Sequence, residues 1–423
     1  MTPPPDPAKQ TDQLAAHLFR HSAGKMTAVL TRQFGLSKLD MILDAVQDSF
    51  EMALTKWRYG NIPQQPEAWL MTVARNKLIN RLKKDTRYGD MDETQPAIEA
   101  YTTYDHIIVN DEQISDSQLQ LLLTCCHPGF SLKNQVSITL YVLCGFGIPE
   151  IANALLTNRE TIKKAITRCK SQLKELETLY QPKSKLILEQ HIHTVHTVLY
   201  LLFNEGYKTT RTDTGINRDM CFEALRLTKL LLQHPVALPQ THALLALMFF
   251  NTARFPARIA DTGEWLTLEK QDRGLWLQPL IQEGFYHLEQ AAYTNEINKY
   301  HIEALISSIH CSSTSFVQTP WQKILDLYKH LETIEPPSSL LQLNKIIAQA
   351  YTDIQLVDLD ALDKLENFLH ADNRFLYYVT RAHVYRQLKH IPEAIKNYRQ
   401  AFELAASAID KRFIQTQLSA CNN

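Results

Sequence analysis

The chain has 423 residues, 44 Lys+Arg against 45 Asp+Glu, and 45% hydrophobic residues, enough for two or three domains with cores of their own. Its 12 glycines are roughly 3% of the sequence against a usual ~7%, which argues against β-rich and glycine-loop nucleotide-binding folds and predicts an all-α chain. A net charge of -1 argues against a protein coated with nucleic acid, yet the average hides blocks of opposite sign. No apolar run approaches the ~20 residues that span a bilayer, and MTPPPDPAKQ lacks the basic start and apolar core of a signal peptide, so no membrane association and a cytoplasmic location are expected. Seven cysteines without a CxxC pair predict reduced thiols rather than a disulfide framework.

Residues 8–88 read as a first helical domain. Leu14, Leu18, Val29 and Leu30 are spaced for an amphipathic helix ending near Phe34-Gly35. Ser37 is the expected cap of a second helix carrying Leu39, Ile42, Leu43, Val46, Phe50 and Leu54 inward and Asp40, Asp44, Gln47, Asp48 and Glu51 outward. A loop with Tyr59, Asn61, Pro63 and Pro66 leads into a third helix from Glu67 to Arg87. Between Lys56 and Arg87 eight basic residues face only Glu67 and Asp85, and aromatic residues interleave with them. That mixture suits unpaired DNA, whose bases need apolar or aromatic contacts while its phosphates need cations. Trp57 and Trp69, at helical spacing among apolar neighbours, read as core; Tyr59 and Asn61 are the better base-contact candidates.

Residues 89–117 hold Asp90, Asp92, Glu93, Glu99, Asp105, Asp111, Glu112 and Asp116 with no Lys or Arg and no helical period, and read as an acidic linker. A second domain, 118–180, contains apolar runs at Leu119–Cys126 and Val136–Leu143 and then a helix-turn-helix pattern. Ile148–Leu155 forms the short first helix, Leu156-Thr157-Asn158 the turn, and Arg159–Leu173 a second helix with Ile162, Ile166, Cys169 and Leu173 behind. Arg159, Glu160, Lys163, Lys164, Thr167 and Arg168 face outward, as a major-groove helix requires. Two basic blocks joined by an acidic tether can hold a polyanion at two places. Cys125-Cys126-His127 reads as buried thiols beside a histidine rather than a metal site, because neighbouring helical side chains point about 100° apart.

Residues 186–423 form a third region. Tyr378, Ala382, Tyr385, Ala394, Tyr398 and Ala401 carry the small and aromatic positions of one tetratricopeptide-type helix pair, with a weaker partner across Leu341–Phe368. Such a pair needs neighbours to cover its faces, so earlier helices are expected to stack on it. Glu205, Asp272, Arg254, Arg258 and Arg273 lie in apolar text and are expected to pair with one another, since a buried lone charge is costly. Glu189, His193 and His196 share a helical face but are expected to be solvated rather than to hold metal; no cofactor is expected.

DAVQDSFEMALTKW, a loop, and PEAWLMTVARNKLINRLKK resemble region 2 of bacterial RNA polymerase sigma factors of the extracytoplasmic-function type. The resemblance implies that Asp44, Gln47 and Asp48 meet the clamp helices of the largest subunit of core RNA polymerase. It implies that Asn76, Asn80, Lys83 and Lys84 approach the -10 promoter element and that the loop of Tyr59 and Asn61 holds an extruded base. EIANALLTNRETIKKAITRCKSQLKEL is similar to sigma region 4, which implies -35 contacts by Arg159, Lys163, Lys164 and Arg168, with Thr161 open between a contact and packing at the helix start. LLLTCCHPGF, LYLLFNEGY, HALLALMFFNTARFPAR and LEKQDRGLW match the sigma subgroup with a C-terminal tetratricopeptide-like extension, which implies a regulatory domain with a protein or peptide partner. On this reading the protein is no enzyme and its partners are core polymerase and promoter DNA. The alternative is a helix-turn-helix activator with a repeat-based sensor, which would bind duplex DNA without polymerase.

Overall fold

The computed structural model describes residues 7–57, 62–88, 111–155, 157–175, 185–208, 215–233, 238–260, 262–294, 296–336, 338–369 and 373–422. Among these, the regular structure is helical, with one isolated bridge between Ile259 and Trp265. The expectation of an all-α chain holds. The chain divides into two compact units, Met1–Leu201 and Leu202–Asn423.

In the first unit, α1 (Pro7–Phe34) ends where Gly35 takes φ 89°, a left-handed conformation that costs glycine little. A 3-10 turn at Leu36–Lys38 then feeds α2 (Leu39–Lys56), whose N-cap is Lys38 rather than the expected Ser37. After the loop, α3 (Pro66–Tyr88) returns across α2. Met26, Leu30, Phe34, Ile42, Val46, Phe50, Leu70, Ala74 and Leu78 form one core in which Phe19 meets Phe50 edge-on, ring centres 5.0 Å apart. Trp57 is fully buried and packs on the half-buried Trp69 at 5.4 Å, so both tryptophans belong to the core as expected.

The next helix, α4 (Asp111–Cys125), begins inside the predicted linker, so residues 111–117 are helical rather than extended tether. Residues 89–110 lie outside the described structure. α5 (Leu132–Val142) is capped by the Ser131 side chain, which accepts from Asn134 N at 3.4 Å. α6 (Ile148–Ala154) and α7 (Arg159–Glu175) follow, and the first residues of α8 (Lys185–Tyr207) close the unit. Cys125, Cys126, Cys144 and Cys169 are buried; burial raises the Cys125 and Cys169 thiols and pushes the Cys126 thiol up to about 12, so these three stay protonated. His196 is buried and held by burial near pKa 3, whereas His193 is exposed. They do not form the common solvated face that spacing suggested; the Glu189 side chain lies outside the described structure.

The second unit is built around α10 (Pro239–Ala253), which follows α9 (Arg218–Leu232). Leu244, Leu245, Ala246, Leu247, Met248, Phe249 and Phe250 are all buried, so α10 has no solvent face and must be surrounded. α11 (Gln278–Ala291) and α12 (Lys299–Ser312) pack against it, and Gly284 of α11 admits the Phe250 ring so closely that a Cβ would stand 2.6 Å from it. Helices α13 (Trp321–Ile334), α14 (Ser339–Thr352), α15 (Leu359–Leu365), α16 (Arg374–Gln387), α17 (Ile391–Leu404) and α18 (Ala408–Asn422) continue the stack through successive small cores. α16 and α17 form a hairpin turned at Lys389, φ 62°; Ala382, Ala394, Ala401 and Tyr398 are buried between them, the crossing that the small-residue pattern indicated.

The embedded charges do not pair as expected. Asp272 accepts from Gly274 N at 2.8 Å and caps a 3-10 turn, while Arg254, Arg258 and Arg273 bond to neutral groups.

Candidate nucleic-acid interface

The outer face of α3 follows from its inner one. Leu70, Ala74 and Leu78 turn toward α2 at the i, i+4 spacing of a helix. Asn76, Asn80, Lys83 and Lys84 are therefore carried together on the opposite, exposed side. Two amides and two ammonium groups on one face offer base-edge hydrogen bonds beside phosphate contacts. Tyr59 and Asn61 lie outside the described residues.

The carboxylates of α2 are not all presented to a partner. Asp48 is half-buried and accepts from Arg81 Nη2 at 2.8 Å and Lys77 Nζ at 3.3 Å. Asp44, exposed, stands 3.8 Å from the same arginine. Gln47 is exposed and donates to Glu51 at 3.1 Å. α3 thus uses two of its cations, Lys77 and Arg81, to hold α2, which leaves the basic block with fewer charges for a polyanion than its sequence indicates.

α6 and α7 form the helix-turn-helix. Glu150 accepts from Gly147 N at 2.7 Å at the start of α6, and Asn158 Oδ1 accepts from Thr161 N at 2.7 Å at the start of α7. Ile162, Ile166, Cys169 and Leu173 anchor α7 from behind. Arg159, Thr161, Lys163, Lys164 and Arg168 are all exposed, which decides Thr161 for the open face rather than for packing.

Reading the sequence as tethered domains missed how these two modules meet. Gly24 of α1 lies against the Leu143 backbone, where a Cβ would come within 1.8 Å of the carbonyl oxygen. Beside it Arg20 bonds Glu150 at 2.7 Å and lies 4.1 Å over the Phe146 ring. At the other end Asp40 of α2 receives Lys170 at 2.5 Å and Lys174 at 2.8 Å, both from α7. Burial alone would raise the Asp40 carboxyl; hydrogen bonds and charge from the two lysines outweigh it and hold its pKa below the usual value. The helix-turn-helix is therefore held against α1 and α2 through its flank, while Arg159, Lys163, Lys164 and Arg168 are exposed.

Comparison with known proteins places family boundaries on this architecture. Residues 18–88 match sigma-70 region 2. That stretch is α1 to α3, and the match supports a sigma-70 family sigma factor with sigma-type transcription initiation, through core polymerase and promoter DNA. Residues 191–292 match DUF6596, a family of unknown function, which spans most of α8 through α11. Uncharacterized protein R00370 of Rhizobium meliloti (strain 1021) is 28% identical over 389 residues, 90% of each chain. No solved structure matches the chain. Among the described residues no helix is long and apolar enough to cross a membrane, and no group of His, Cys, Asp and Glu is arranged to hold a metal ion.

Proposed function

We propose that the protein is a cytoplasmic sigma factor of the extracytoplasmic-function type, whose C-terminal helical stack is a tetratricopeptide-like regulatory domain. It brings core RNA polymerase to a promoter, reads -35 through Arg159, Thr161, Lys163, Lys164 and Arg168, and reads -10 through Asn76, Asn80, Lys83 and Lys84. The exposed Asp44 and Gln47, with Asp48, meet the clamp helices of the largest polymerase subunit. Tyr59 and Asn61 take an extruded non-template base. Energy gained only once the strands part shifts the equilibrium toward open DNA, so melting needs no catalytic group and the protein is no enzyme by itself. The C-terminal unit binds a protein or peptide that governs this activity.

The observation that carries the reading is the sigma-70 region 2 match lying on an exposed Asn/Lys face, with a second basic face on a capped helix-turn-helix in the same unit. Run-off transcription with purified core polymerase and a promoter library tests it, comparing the intact chain with Lys83→Ala/Lys84→Ala. Protein-dependent transcripts that fall in the variant support the reading. Duplex binding that is indifferent to core polymerase, without transcripts, replaces it with the activator.

A further inference from the structure

The second unit holds a group of cations that the proposed function does not use. Arg254 and Arg258 are each only 8% exposed, yet their partners are neutral. Arg254 Nη2 donates to the Tyr207 hydroxyl at 2.7 Å and to Asn251 Oδ1 at 2.5 Å. Arg258 donates to the Tyr207 carbonyl at 3.1 Å, and its guanidinium lies 3.7 Å from the Tyr207 ring centre and 4.6 Å from that of Trp265. Arg273 donates to the carbonyls of His310 at 2.5 Å and Ser313 at 2.6 Å and lies 4.8 Å over Trp276. Among the described residues, no carboxylate forms an ion pair with any of the three.

A guanidinium cannot shed its proton to escape burial, so a buried arginine normally sits against an anion. Here the hydrogen-bonding groups are also incompletely matched, and His310, neutral because burial holds its pKa near 3, donates from Nδ1 in one of its two tautomers. Arg254 Nε, Arg273 Nη2, Trp276 Nε1 and His310 Nδ1 are buried without a hydrogen-bond partner. They share one neighbourhood: Arg273 touches both Trp276 and the His310 carbonyl, and the charges of Arg254 and Arg273 act together on His310 and Cys311. The arginines act on Tyr207 as well. Burial alone would raise its hydroxyl, but Arg254, Arg258 and Lys208 outweigh this and bring it below its ordinary value.

We propose that Arg254, Arg273, Trp276 and His310, bordered by Arg258 and Tyr207, form a binding site for a phosphoryl oxyanion. Two guanidinium charges and several separate N–H groups exceed what one carboxylate can satisfy. A phosphoryl group offers close to two charges and three strong acceptor oxygens. The group can come as inorganic phosphate or as a small monoester, and the site lies mostly within the stretch matching the family of unknown function. The proposal stands independently of the sigma-factor reading.

The test uses the full chain labelled with 15N at tryptophan, whose five indole N–H signals include Trp276, assigned through Trp276→Phe. Sodium phosphate and phenyl phosphate are titrated separately at constant ionic strength held with chloride. The expected result is a saturable shift of the Trp276 signal, with Trp57 and Trp69 unmoved, and a higher Tm than chloride gives. Arg273→Gln should weaken the affinity at least tenfold. Response to both probes assigns the site to the phosphoryl group, and response to inorganic phosphate alone assigns it to the free ion. A static Trp276 signal, a uniform drift of all indoles, or unchanged affinity in folded Arg273→Gln overturns the proposal. If that variant does not fold, the titration of the unaltered chain decides alone.

Discussion

Gly24→Ala gives a test by sign of the contact between the first three helices and the helix-turn-helix. Gly24 is in the interior of α1, where alanine is favoured over glycine by about 0.8–1.0 kcal/mol. If nothing lay against it, the substitution would stabilise. The structure sets Leu143 in the way, with its carbonyl oxygen 1.8 Å, its carbonyl carbon 2.6 Å and its Cα 3.1 Å from the new methyl. An ordinary C···O approach is about 3.3 Å, so the backbone must retreat by roughly 1.5 Å, and a backbone carbonyl has no rotamer through which to yield. Overpacking of this kind costs ~1–3 kcal/mol, against which the helix gain is smaller. The net expectation is a loss of up to about 2 kcal/mol, whether the strain displaces the chain or separates the two modules. Urea unfolding followed by far-UV circular dichroism measures it. A variant more stable than the parent by about the helix-propensity gain would refute the contact.

Four other outcomes follow from the same structure. Asp40→Asn removes two partly exposed ion pairs, so stability should fall by only ~0.2–1 kcal/mol per pair; freeing Lys170 and Lys174 should make the salt dependence of duplex binding steeper, by up to about 0.9 in log–log slope per lysine that reaches a phosphate. Lys83→Ala/Lys84→Ala should make the salt slope of promoter binding by the polymerase complex shallower by about 1–2, with a stability change within ~0.5 kcal/mol because both side chains are exposed. Burial holds His196 and His310 near about 3 and His287 and His383 near about 4, against an ordinary 6.5; the unfolded chain takes these protons first, so stability is full above pH 6.5 and declines toward pH 4 by ~1.4 kcal/mol per pH unit per histidine, and a Tm flat from pH 7 to 4.5 would contradict it. Asp272→Ala should lose ~0.5–2 kcal/mol by urea titration, while Asp272→Asn, whose amide oxygen can still accept from Gly274 N, stays near the parent; equal losses would restore an ion-pair role.

Local chemistry made much of this fold legible. The Asn158 cap, the Ile162 to Leu173 stripe and the all-apolar text of α10 each act within one or two turns, so periodicity and capping alone locate those helices. The start of α4 was hidden because its inward positions include Ser117 and Gln118, both buried; polar residues at core positions erase the period that would have revealed the helix. Burial of Arg254 and Arg258 was signalled by their apolar surroundings, but their partners were not, since Tyr207 and Trp265 look like ordinary core aromatics. The Asp40–Lys170 pair joins residues 130 positions apart in the sequence, and Gly24 reads only as a weak point in a helix. Neither carries a local signal.

The face of α7 on which Lys163 lies continues to Lys170 and Lys174 at i+7 and i+11, and these two are the residues Asp40 holds. Asp40 in turn shares a face of α2 with Asp44, Gln47 and Asp48, at i+4, i+7 and i+8. One pair of contacts therefore joins the tail of the candidate -35 surface to the head of the candidate clamp surface. Phosphates that reach Lys170 and Lys174 compete with Asp40 for them, and a partner that binds the α2 carboxylates competes with the lysines. Either ligand weakens the same contact, so each lowers the cost of admitting the other, and the linkage is reciprocal. Its size is bounded by two partly exposed ion pairs, at most ~2 kcal/mol or roughly 30-fold in affinity. The tighter packing at Gly24 does not depend on charge and is untouched by that competition. Polyanion and carboxylate-binding partner can thus loosen the Asp40 end of the interface while the Gly24 end keeps the two modules in register.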